Sequence, residues 1–103
     1  MNFGLKQETI DKINSVFKRH PEVEEVIIYG SRAKGTHHEG SDIDITLKGT
    51  QLNETIRTKI SQEIDDLNTP YLFDISIYHK LSCPALLTHI HQAGKRFYSR
   101  DKS

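Results

Sequence analysis

Residues 42–47 read Asp-Ile-Asp-Ile-Thr-Leu. Strict alternation of this kind has the two-residue period of a β-strand, with Ile43, Ile45 and Leu47 on one face and Asp42, Asp44 and Thr46 on the other. The apolar face must be covered by another layer, whereas the carboxylate face must stay wet or meet cations. A chain of 103 residues has material for one core and one such layer, so residues 1–103 are expected to form a single domain.

The flanking segments supply the missing parts. Leu5 to Arg19 carries Leu5, Ile10, Ile13, Val16 and Phe17 near one helical face, and Pro21 stops it. Val23 to Tyr29 is rich in β-branched residues. Its continuous apolar end, Val26 to Tyr29, suits a central strand covered on both faces. Gly30 breaks that strand, a short helical turn opens at Ser31, and a polar loop runs to Ser41. Leu52 to Leu67 repeats apolar residues at helical spacing (Leu52, Ile56, Ile60, Ile64, Leu67). Tyr71 to Tyr78 alternates again, with Phe73, Ile75 and Ile77 opposed to Leu72, Asp74, Ser76 and Tyr78. Pro84 begins a last helix through His91, and Lys95 to Tyr98 suits a short terminal strand; Ser99 to Ser103 are expected to fray. The order predicts a small α/β (α+β) fold, a sheet of three to four strands with helices packed on one face. The helix between the Asp44 and Asp74 strands is long enough for a crossover, which permits parallel pairing.

Composition narrows the function classes. Fourteen Lys+Arg balance fourteen Asp+Glu, so no global field draws the chain to nucleic acid or membrane, and stable nucleic-acid binding is not expected. The basic end, Lys95, Arg96, Arg100 and Lys102, reads as a solvated tail. One cysteine, Cys83, allows neither an internal disulfide nor a Cys-x-x-Cys pair. With no apolar run near the ~20 residues of a membrane span and no signal-peptide pattern at the N-terminus, a cytoplasmic location is expected.

Chemistry concentrates on the acidic face. Asp42 and Asp44 project the same way, about 7 Å apart along the strand, and Asp74 lies on the polar face of a later strand. If those strands are close neighbours, three carboxylates share one patch. Such a patch suits Mg²⁺, which uses one or two carboxylates plus substrate phosphates; a bare Asp-x-Asp is otherwise often a solvated face. Just upstream, Gly30 permits close backbone approach, the N–H groups after it and the Ser31 hydroxyl can meet an anion, and Arg32 and Lys34 add positive charge. Other candidates are weaker. Thr36-His37 follows the glycines where a P-loop needs Lys then Ser/Thr, and Ile43 and Ile45 do not suit a calcium loop. His37 and His38 read as loop residues. His89 and His91 sit about 200° apart around a helix and cannot easily chelate one ion. Tyr78 and His79 read as packing residues.

Gly30-Ser31, ten residues, Asp42-Ile43-Asp44 and a later Phe73-Asp74-Ile75 together resemble the signature of the DNA polymerase beta-like nucleotidyltransferase superfamily. Within it the chain most resembles the minimal nucleotidyltransferases of prokaryotes, antitoxins paired with an all-helical HEPN ribonuclease toxin. The resemblance implies a nucleotidyltransferase-type mixed sheet and transfer of AMP from ATP onto a toxin tyrosine. It implies that Gly30 and Ser31, with Arg32 beside them, hold the triphosphate. It also implies that Asp42 and Asp44 bind Mg²⁺ (two ions, with Mn²⁺ a possible substitute) and that Asp74 completes the site as ligand or general base. Two alternatives remain open at this point. One is a binding module that inhibits its partner by occupation; the other is an antibiotic-type nucleotidyltransferase, which usually needs an extra helical domain.

Overall fold

The computed structural model describes residues 3–38 and 40–100. Four α-helices and four strands follow in the order α1 (Gln7–Lys18), β1 (Glu25–Tyr29), α2 (Ser31–Lys34), β2 (Ile43–Lys48), α3 (Glu54–Asp65), β3 (Phe73–Ile77), α4 (Pro84–Ala93) and β4 (Lys95–Ser99), with one 3₁₀ turn at Tyr78–Lys80 after β3. The strands form one mixed sheet in the order β3-β2-β1-β4. β1 is antiparallel to both β2 and β4, and β2 pairs β3 in parallel across the α3 crossover.

Sequence pattern dictates the layers. Ile10, Ile13, Val16 and Phe17 of α1 and Ile60 and Ile64 of α3 are buried, and they meet Val26, Ile28, Ile43, Ile45, Leu47, Ile75 and Ile77 on one face of the sheet. Removing these side chains from water is the main term holding the two layers together. The expected packing of helices on one face is found for α1 and α3. Asn53 caps α3, its side-chain oxygen accepting the Ile56 N–H at 2.9 Å. Pro84 occupies the first turn of α4, where its missing N–H costs nothing.

β1 is central and covered on both sides. Ile27 and Tyr29 face away from α1 and α3, towards α4. The end of α4 presses against Ile27 so closely that a Cβ on Gly94 would stand 2.7 Å from Ile27 Cγ2. A register shift between Val26 and Ile27 puts a bulge into the β1–β4 pairing. This lets the successive residues Phe97 and Tyr98 both turn inward. Their rings lie 6.5 Å and 5.3 Å from the Phe17 ring.

The C-terminal end corrects two expectations. Ser99 closes β4, and the Arg100 N–H donates to Glu24 O at 2.9 Å, so neither residue frays. Arg96 pairs with Glu25 at 2.9 Å, and the Arg100 guanidinium donates to Pro21 O. These charges tie the edge strand down rather than forming a loose tail. Lys102 and the rest of the expected frayed end lie outside the described residues. Among the described residues no helix is long and apolar enough to cross a membrane.

Candidate active site

The parallel register places Asp44 directly opposite Asp74, with neighbouring strands about 4.8 Å apart. On the other side of β2, Tyr29 stands opposite Asp44 in the antiparallel register. One row across the sheet thus reads Tyr29, Asp44, Asp74. Asp42 stands exposed just ahead of β2. Burial, then the neighbouring charges of Asp74 and Asp42, push the Asp44 carboxyl above the usual carboxylate range. Burial also pushes the Tyr29 phenol up, and Asp74 and Asp44 add to the effect. Tyr29 is therefore a neutral hydroxyl at the foot of an acidic cluster.

The turn beside this row is built for close contact. Gly30 has φ 77° and ψ −157°, a conformation in which an L side chain is strained. A Cβ there would collide with the Asp44 carboxylate. The first intrahelical bond of α2 runs from Lys34 N–H to Gly30 O at 3.2 Å. The N–H groups of Ser31, Arg32 and Ala33 precede it and have no acceptor within the helix. Gly30, Ser31, Asp44 and Asp74 are thus gathered at one end of β1, β2 and β3.

Arg32 lies elsewhere. The residue is only 2% exposed. Nε donates to Ser41 O at 3.1 Å, Nη1 donates to Phe3 O at 2.9 Å, and the guanidinium stacks 4.8 Å from the Tyr71 ring centroid. It fastens both ends of the Ser31–Ser41 loop to the N-terminal segment instead of presenting charge to a ligand. Sequence gave no sign of this, because a basic residue next to a glycine turn looks the same whether it points in or out.

His89 is the residue that sequence reasoning passed over. It projects from α4 so that its Nε2 accepts the Gly30 N–H at 2.9 Å, and its ring meets Tyr29 edge-on at 6.0 Å. His91, on the other side of the helix, pairs with the Tyr78 hydroxyl. Tyr78 also packs beneath Lys48, 4.6 Å from its ring centroid, while His79 is exposed. The helical spacing separates the two histidines but cannot say which strand end each one meets.

Among the described residues no three His, Cys, Asp or Glu side chains converge closely enough to form a ready metal cage. The donor set nonetheless fits a hard cation whose shell is completed by a substrate: two opposed carboxylates, one with its charged form disfavoured, beside backbone N–H groups that have no acceptor within α2. The site opens to solvent, with Asp42 and Asp74 exposed and Asp44 half-buried. One hollow of about 470 Å³ is lined by Glu24, Lys48, Gly49, Thr50, Tyr78 and His79 at the far end of β2. Another of about 360 Å³ lies beside Arg32, Lys6, His37 and Tyr71. Neither includes Asp42, Asp44 or Asp74, which stand on an open face.

No curated protein matches the chain by sequence. Several solved structures share its fold. A chain of a toxin–antitoxin complex with AMP-PNP superposes with a TM-score of 0.71 at 23% identity, covering 87% of this chain and 73% of that one. A chain of a Shewanella oneidensis complex of tri-AMPylated HEPN toxin with MNT antitoxin gives 0.68 at 18% identity, covering 92% and 73%. A chain of the toxin–antitoxin complex MntA-HepT gives 0.67 at 19% identity, covering 91% and 73%. The family described as "Polymerase beta, Nucleotidyltransferase" matches residues 11–103. With Gly30-Ser31 set against Asp44 and Asp74 at the strand ends, the chain belongs to the polymerase beta nucleotidyltransferase family.

Proposed function

We propose that this chain transfers AMP from ATP to a tyrosine hydroxyl of an all-helical HEPN-type toxin and so acts as its antitoxin. The observation that carries the reading is the Asp44–Asp74 pair held against the Gly30–Ser31 turn on an open face. The relatives add the acceptor class: they are toxin–antitoxin complexes, one with AMP-PNP and one with a tri-AMPylated HEPN toxin.

In this reading the Ser31 hydroxyl and the N–H groups after Gly30 hold the triphosphate. Asp42, Asp44 and Asp74 would hold Mg²⁺, which when bound neutralises phosphate charge and orients the reacting oxygens. The acceptor hydroxyl oxygen forms a bond to the α-phosphorus, the bond from that phosphorus to the bridging oxygen breaks, and pyrophosphate leaves. Asp74, the most exposed of the opposed pair, accepts the hydroxyl proton. Because Asp42 and Asp74 are exposed, the acceptor chain itself covers them to exclude water and align its hydroxyl.

The test uses ATP labelled at either the α- or the γ-phosphorus, mixed with this chain, Mg²⁺ and a HEPN-type partner. Label from the α position, and none from the γ position, should appear on the partner protein. Transfer of γ label would make the reaction phosphorylation; no transfer together with tight binding would favour inhibition by occupation.

A further inference from the structure

The Gly30–Ser31 turn is gripped from two sides. On one side the Asp44 carboxylate fills the space where a Cβ would stand. On the other, His89 takes up the Gly30 N–H at 2.9 Å. A backbone conformation as restricted as φ 77°, ψ −157° persists only where its surroundings over-determine it. The contact needs Nε2 as an acceptor, which places the ring's N–H on Nδ1. The ring cannot swing freely. Tyr29 packs against it edge-on, the adjacent Ile90 is buried, and the close approach of Gly94 to Ile27 fixes the end of α4 on β1.

We propose that His89 is a positioning residue for the nucleotide turn: its Nε2 fixes the Gly30 peptide and so sets the direction in which the N–H groups after Gly30 meet phosphate. This rests on the reading of the turn as a triphosphate site. It also gives α4 a task that no aspartate or glycine motif in the sequence assigns to it. The contact is made by an acceptor at the Nε2 position, so side chains can be ranked by where they place an acceptor. Glutamine reaches as far as Nε2. Asparagine places its oxygen near Nδ1 and falls short. Leucine fills space and accepts nothing.

The experiment measures three quantities in the wild-type chain and in His89→Gln, His89→Asn and His89→Leu. These are hydrogen exchange at the Gly30 amide, the affinity for ATP with Mg²⁺ by calorimetry, and the melting temperature. Gly30 should be protected in the wild type and His89→Gln and exchange freely in the other two. ATP affinity should stay within about twofold in His89→Gln and fall about fivefold in His89→Asn and His89→Leu, the scale of one hydrogen bond. Melting temperatures should not follow that split. Equal ATP affinity in His89→Gln and His89→Leu would overturn the proposal, as would losses that simply track the melting temperature. If Gly30 protection follows the series but the wild-type chain binds no ATP, the triphosphate reading fails while His89 remains the residue that positions the turn.

Discussion

Gly30 and Asp44 occupy each other's space: the carboxylate of Asp44 lies where a side chain on Gly30 would begin. The turn and the acidic row therefore form one packed unit, although fourteen positions separate them in the chain. Gly30→Ala should lose about 1–3 kcal/mol from backbone strain alone, and more from the displaced carboxylate. Combining it with Asp44→Ala removes the collision. A double-mutant cycle by urea unfolding should then be less than additive; strict additivity would separate the two residues.

Asp44 is disfavoured as an anion by burial first and by Asp74 and Asp42 next. Its folded pKa lies above its unfolded one, so the folded state binds the extra proton in the interval between them. Stability contributed by this group is present at low pH and is lost as pH rises through the raised pKa. Asp44→Asn should therefore melt above the wild type at neutral pH without metal. The gap should close as pH falls below the ordinary carboxylate range. Added Mg²⁺ with ATP should raise the wild-type melting temperature and leave the variant nearly unmoved.

Arg32 is a buried cation whose hydrogen bonds go to two backbone carbonyls and whose face meets Tyr71. Arg32→Met should cost roughly 2–3 kcal/mol, because the Phe3 and Ser41 carbonyls lose a charged donor inside the protein. Arg32→Lys should recover only part, since an ammonium cannot reproduce the planar fork or the stacking. Chemical denaturation checks both. A loss of nucleotide affinity with no loss of stability would return Arg32 to the phosphates.

Much of the fold was legible because its determinants are local. The alternation at Ile43–Leu47 and Phe73–Ile77, the spacing of Ile60 and Ile64, and Pro84 at a helix start are properties of short windows. The length of the α3 crossover permitted a parallel pairing of the Asp44 and Asp74 strands, but strand direction and the Asp44–Asp74 register depend on the folded sheet. What stayed hidden depends on contacts between distant segments. Arg32 turns inward because Phe3 and Ser41 offer carbonyls there, and His89 reaches Gly30 across 59 positions. The bulge that lets both Phe97 and Tyr98 face the core is a register detail that no two-residue period reveals.

Ser31 opens α2 next to the acidic row. Ser31→Ala should weaken ATP binding by about 1 kcal/mol, one hydrogen bond. Ser31→Asp should nearly abolish binding by opposing phosphate with a fixed negative charge. Titration calorimetry distinguishes them, and unchanged binding in Ser31→Asp would move the nucleotide away from this turn.

The open face over Asp44 and Asp74 calls for an acceptor chain to complete it, and intact-mass spectrometry of that chain tests this most directly. A HEPN-type partner incubated with this protein, ATP and Mg²⁺ should gain the mass of one or more AMP units. The gain should vanish with Asp74→Ala, while complex formation and partial inhibition persist. A partner that is bound and inhibited yet gains no mass under any metal or nucleotide condition would contradict the account and leave a protein that acts by occupation alone.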